Sequence, residues 1–231
     1  MKKLIQLELD RFTLRPHLIG LLVTNLIIMF LSVFISYFLF SESSGPMTAG
    51  IPLMQLDTIS MASMLVRAAL IVWESVLISS FIIEEYRSKT INLLFTYPVS
   101  RTRLIIAKLI LICGIMLIFH IGSSIFQNFS IFLLNEQFEF VTYSFENLST
   151  HIITTISTIL LGLFPLFVGM VKKSTIATIV SSLLIIAIAS NSQGSTAGLL
   201  TIPMLAVFFS IIGVIFSTVA IRKMITSDLY N

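Results

Sequence analysis

Six long, nearly uncharged apolar runs constrain this chain more than any other feature. They lie near residues 18–40, 59–83, 104–133, 149–170, 174–190 and 199–221. A bilayer's hydrocarbon is about 30 Å thick and a helix rises 1.5 Å per residue, so roughly 20 apolar residues make one crossing. The runs are continuous rather than alternating, which predicts helices and excludes a barrel. Composition agrees: 56% of the residues are hydrophobic and only 11% are charged, against about 25% charged in ordinary globular domains. A water-soluble fold of 231 residues could not hide that much apolar surface. The expected fold class is all-α, a polytopic membrane protein with six transmembrane helices in a single domain spanning residues 1–231.

The fifth run is short. Its boundary with the fourth rests on Lys172 and Lys173 alone. Ahead of the first run, residues 1–17 mix Lys2, Lys3, Glu8, Asp10, Arg11 and Arg15 with apolar residues, and Ile5, Leu9 and Phe12 share one helical face. This pattern predicts an amphipathic interfacial helix, ended by Pro16. The charged start is not followed by a short apolar core and a small-residue cleavage site, so no removable signal peptide is expected. The single cysteine, Cys113, sits inside an apolar run and supports neither a disulfide framework nor a cysteine metal site.

Orientation follows from the basic residues. With the amino terminus in the cytoplasm, thirteen of the fourteen Lys and Arg residues fall in cytoplasmic segments or at the adjoining helix start. The intervening loops at 41–58, 134–148 and 191–198 hold none and carry Glu42, Asp57, Glu136, Glu139 and Glu146 instead. Both termini are therefore expected inside. The fourteenth basic residue, Arg67, lies within the second run, as does Glu74. Each costs at least ~2.5–3.5 kcal/mol at that depth unless partnered. Their spacing of seven puts them on one face, but helical side chains tilt toward the amino terminus, so a direct bond is strained and partners on other helices are expected. A clasp between spans and a place on a substrate path both fit.

Several weaker signals complete the pattern. Pro165 and Pro203 predict kinks or broken turns. Gly162 and Gly169 predict close helix approach. His120 has no second ligand at metal spacing and reads as a packed, hydrogen-bonded residue. The segment NSQGSTAG at 191–198 reads as a turn-rich loop.

The longest polar interruption, EEYRSKTINLLFTYPVSRTRLIIAK, runs from Glu84 to Lys108. Glu84, Glu85, Arg87 and Lys89 precede Thr90 and a short apolar stretch containing Ile91, Leu93, Leu94 and Phe95. Pro98 ends that stretch, Ser100 stands at a helix-start position, and Arg101 and Arg103 lead into the next run. This describes a short cytoplasmic helix between the second and third spans, with an apolar face suited to a groove on another protein and charged flanks that set its orientation. No phosphate-cradling G-x-x-x-x-G-K-[ST], no H-E-x-x-H and no G-x-S-x-G occurs. Glu84 and Glu85 do not fit glutamate-type intramembrane proteases, because Arg87 comes two residues too early and the later spans lack a suitable histidine set.

The pattern E-x-R-x-K-T-x-x-x-L, then P-V-S-R with a Lys seven residues on, is met by Glu85, Arg87, Lys89, Thr90, Leu94, Pro98, Val99, Ser100, Arg101 and Lys108. It resembles the first cytoplasmic loop of type 2 ATP-binding-cassette exporter permeases, and LELDRFTLRPHLIG and the six-span layout resemble the same family. The resemblance implies a transport subunit without catalytic residues and with no cofactor of its own, because ATP and Mg are bound by a partner ATPase. Residues 84–103 would form the coupling loop, with Glu85, Arg87, Lys89, Thr90, Ile91, Leu94, Phe95, Pro98, Ser100 and Arg101 meeting that partner. It further implies a bacterial plasma-membrane location and a second permease, identical or related, to enclose a path. The short loops between spans depart from lipid and sterol exporters that carry large external domains. Small permeases of this kind export peptide toxins or bacteriocins or confer immunity to them. Small hydrophobic drugs or lipids are the alternative cargo, and a non-transporting membrane sensor or scaffold is the alternative class.

Overall fold

A computed structural model of the chain describes residues 14–43, 57–87, 101–144, 147–191 and 198–227. The described residues form helices and short connections, without strands. Helix α1 spans Leu14–Ser43 and α2 spans Thr58–Ile78. A π-helical turn, Ser79–Ile83, carries α2 into a final turn, α3, at Glu84–Arg87. Then come α4 (Arg101–Asn135), α5 (Leu148–Leu161), α6 (Phe164–Lys172), α7 (Thr175–Ala189), a 3-10 turn at Leu199–Thr201 and α8 (Pro203–Ser227).

Among the described residues, five segments are long and apolar enough to cross a bilayer: Arg15–Ser41, Thr58–Arg87, Arg103–Asn135, Leu148–Lys172 and Pro203–Met224. The remaining apolar block, α7, has 15 residues, a rise of about 22 Å that falls short of the ~30 Å hydrocarbon layer. Six apolar blocks are present, but the expected fifth span is thus a short helix. Both of its ends are set locally. Lys173 takes the left-handed conformation (φ 48°) and closes α6, and the Ser174 hydroxyl caps α7 by accepting from the Ala177 N–H at 3.4 Å. The exposed Lys172 and Lys173 do mark a chain reversal.

The prolines act at helix starts. Pro16 is the third residue of α1, where a first-turn N–H has no intrahelical acceptor to lose. The rest of the expected interfacial helix, residues 1–13, lies outside the described residues. Pro165 stands in the first turn of α6, just after the chain breaks at Gly162 and Leu163. Pro203 opens α8 after the 3-10 turn rather than kinking a span.

Side-chain hydrogen bonds tie the helices together, as expected where lipid supplies no hydrophobic drive between apolar surfaces. Asn25 of α1 donates to Ser123 Oγ of α4 at 2.9 Å, and Gln127 Nε2 donates back to the Asn25 carbonyl at 2.9 Å. The Ser36 and Thr58 hydroxyls meet at 2.8 Å, joining α1 to α2. Ser75 of α2 donates to Ser182 of α7 at 3.0 Å. Trp73 donates its indole N–H to His17 Nδ1 at 3.2 Å and meets Phe119 edge-on. Around these bonds a core of Ile78, Ile112, Met116, Phe119 and Leu166 is almost fully buried.

Glycines set the closest approaches. Gly162 lies against the Glu74 carboxyl, and Gly169 against Thr178 and Ile83, the close approach expected of both. Gly213 of α8 faces the carboxyl end of α5, where a Cβ would come within 2.8 Å of Leu161 Cα and 3.0 Å of the Leu160 carbonyl carbon. Backbone cannot yield as a flexible side chain can. Gly213→Ala is therefore expected to lower stability by about 1–3 kcal/mol through overpacking, whereas Gly122→Ala, which meets nothing within 4 Å, should be neutral or mildly stabilising. Thermal unfolding of the two variants in detergent checks the contrast.

Candidate functional site

The basic residues converge on one end of the bundle, where α3, the start of α4 and the turn between α6 and α7 meet. Lys108, about one turn into the hydrophobic part of α4, is buried there with 2% of its side chain exposed. Its Nζ donates to Glu85 Oε2 at 2.6 Å and to the Phe81 carbonyl at 3.1 Å. Phe81 lies in the π-helical turn. Such turns replace the regular i→i−4 ladder and recur at functional positions. A single ammonium thus binds a carboxylate and a main-chain oxygen of the preceding span. α3 and α4, the elements that flank residues 88–100 in the chain, are thereby joined.

Two further contacts surround this pair. Arg87 donates to Glu84 Oε1 at 3.0 Å on the exposed side of α3, an arrangement that adds little stability in solvent. Lys173 places its ammonium 5.8 Å from the centre of the Tyr86 ring, which brings the α6–α7 turn against the same foot. Of the residues expected to meet a partner, Glu85 and Arg87 are placed here, and Arg101 begins α4. Lys89, Thr90, Ile91, Leu94, Phe95, Pro98 and Ser100 lie outside the described residues. The Glu85–Lys108 bond was not foreseen: Lys108 had read only as the edge of a basic segment. Its position one helical repeat inside an apolar run was the available signal.

The intramembrane pair is separated. Arg67 Nη1 donates to Thr201 Oγ1 at 3.3 Å, reaching the 3-10 turn before α8. Glu74 is 1% exposed and neither carboxyl oxygen has a hydrogen-bond partner among the described residues. It rests on Gly162 where α5 ends. The expected cross-helix partner exists for Arg67 and not for Glu74. His120 departs from expectation likewise: it is packed, but its Nε2 makes no hydrogen bond among the described residues. No group of three or more His, Cys, Asp or Glu side chains suited to hold a metal occurs among the described residues.

Fold and surface together define a multi-pass helical membrane protein whose charged contacts gather at one end. Residues 15–190 match the model of the ABC-2 family transporter protein family. The chain belongs to that family and is a permease subunit, with ATP hydrolysis carried by a separate subunit. It is 34% identical over 232 residues to the uncharacterized protein YcbO of Bacillus subtilis (strain 168), covering 95% of this chain and 96% of that one. No solved structure matches.

Loss of one member of a buried ion pair costs about 3–5 kcal/mol, while replacing both by apolar residues is often neutral. Lys108→Met is expected to destabilise the protein strongly, and Lys108→Met combined with Glu85→Leu to regain most of the loss. A double-mutant cycle on thermal unfolding reads this directly.

Proposed function

We propose that residues 84–103 form the coupling loop of this permease, that the loop lies in the cytoplasm, and that its apolar face at Ile91, Leu94 and Phe95 seats in a groove of the ATPase subunit. The observation that carries the reading is the buried Glu85–Lys108 contact, 2.6 Å long, directly beneath the loop. A push on residues 88–100 reaches α3 and α4 as one unit, because the carboxylate and ammonium hold the two helices together. Rigid-body displacement of a helix pair is an established way to switch a membrane protein between arrangements. ATP and Mg bind the partner, and its closure supplies the displacement.

The arrangement of charge supports the orientation. Arg87, Arg103, Lys108, Lys172, Lys173, Arg222 and Lys223 fall at the loop end of the helices, while Asp57, Glu136 and Glu139 fall at the other, in line with the excess of Lys and Arg on cytoplasmic surfaces. Both termini then lie inside a bacterial plasma membrane, and a second permease, a copy or a relative, completes the path. The cargo is a hydrophobic or amphipathic molecule, and we assign it to the peptide toxins and bacteriocins, exported or expelled for self-protection. A chain with 19 phenylalanines and 10 methionines suits such a cargo, since methionine adapts to varied surfaces.

Replacing Leu94 and Phe95 together by Asp is expected to abolish co-purification of the cytosolic ATPase and its stimulation by the permease, with the permease still folded. Retention of both would refute the coupling assignment and favour a membrane scaffold.

A further inference from the structure

Between α2, α4 and α5 lies a cavity of about 370 Å³, at the opposite end of the bundle from Lys108. It reaches from Ser144 and Leu148, near the helix ends, inward to Arg67 and His120. Arg67 is nine residues into α2, about 13 Å from the start of that helix. The volume falls within the roughly 300–1,000 Å³ of small-molecule sites.

The chemistry of the walls is one-sided. Arg67, 7% exposed, supplies a permanent positive charge, and no Asp or Glu is among the described residues that line the space. His120, 3% exposed, lines it too, and its Nε2 has no partner among the described residues. With its hydrogen on Nε2 the ring offers a second donor. Gln127 Oε1, also buried and without a partner among the described residues, is an acceptor. A guanidinium, an imidazole N–H and a carbonyl oxygen together match a group that carries both negative oxygens and an O–H. A phosphate is such a group, and guanidinium is well shaped to receive it.

The mouth has the opposite character. Ile121 and Ile125 of α4, with Leu148 and Ile152 of α5, border the same cavity and are 49%, 66%, 69% and 50% exposed. These side chains belong to membrane-crossing segments, so the gap between α4 and α5 opens sideways into the apolar layer. A polar recess with an apolar doorway suits a molecule whose head is charged and whose tail stays in the bilayer.

We propose that this cavity binds a phosphate-class anionic group delivered on an apolar tail through the α4–α5 gap, with Arg67 as its principal contact and His120 and Gln127 completing the head site. The site is independent of the coupling loop and of the cargo assignment, because it is read on the permease alone.

The test is equilibrium binding of decyl phosphate, inorganic phosphate and decyltrimethylammonium to the full-length chain in a neutral detergent, followed by native mass spectrometry and thermal shift. Decyl phosphate is expected to bind and stabilise, at least tenfold more tightly than decyltrimethylammonium. Arg67→Gln should weaken it at least tenfold, and His120→Phe should weaken it less. Ile125→Trp, at an exposed position that folding does not depend on, should narrow the doorway and weaken decyl phosphate while sparing inorganic phosphate. Inorganic phosphate binding as tightly as decyl phosphate, with Ile125→Trp inert toward both, would keep the anion site but make the aqueous phase its source. Equal affinity for the cationic amphiphile, or decyl phosphate binding unchanged in a folded Arg67→Gln protein, overturns the proposal. Should Arg67→Gln fail to fold, the charge preference and the Ile125→Trp result decide alone.

Discussion

The buried contact between Glu85 and Lys108 is the interaction on which the loop end of this protein depends. A lysine seven residues into a helix that then runs apolar for many turns has two courses: extend to the surface or find a carboxylate. Here it finds one, and takes a carbonyl of the π-helical turn as well. The consequence is mechanical. The two helices that flank residues 88–100 cannot separate at that end without stranding an ammonium. Tyr86 extends the junction to Lys173 and the α6–α7 turn, so the ends of three of the five long apolar segments meet at one small patch.

Elsewhere the bundle is held by hydroxyls, amides and close backbone contact rather than charge. Ser36 with Thr58, Asn25 with Ser123 and Gln127, and Ser75 with Ser182 each connect two helices, and Gly169 and Gly213 let main chains approach where a methyl group would intrude. Such bonds average well under 2 kcal/mol each in membranes. That modest strength is compatible with helices that must repack during transport. Away from Lys108, the buried ionisable side chains among the described residues include Arg67 and Glu74, and each stands beside an interruption in another element: Arg67 at the 3-10 turn before α8, Glu74 at the α5–α6 break.

Much of this was legible in the sequence. Hydrophobic runs marked the helices because a lipid environment permits little else, and Lys172 with Lys173 marked a reversal that proved real. The shortness of α7, 15 residues long, was visible in the length of its apolar run. Pairings across the bundle were not legible: Lys108 with Glu85 and Arg67 with Thr201 join residues far apart in the chain, and only packing decides them. His120 and Gln127, read as ordinary packed residues or passed over, acquire interest only because Arg67 shares their cavity.

The central claim is that the segment between α3 and α4 faces the cytoplasm and meets the ATPase there. Its most direct test is site-specific labelling of a cysteine placed at Asn92, in a Cys113→Ser background, with a membrane-impermeant maleimide. The account predicts no labelling in intact cells, full labelling in inverted vesicles stripped of the ATPase, and protection when the ATPase is restored. Labelling from outside intact cells would contradict it.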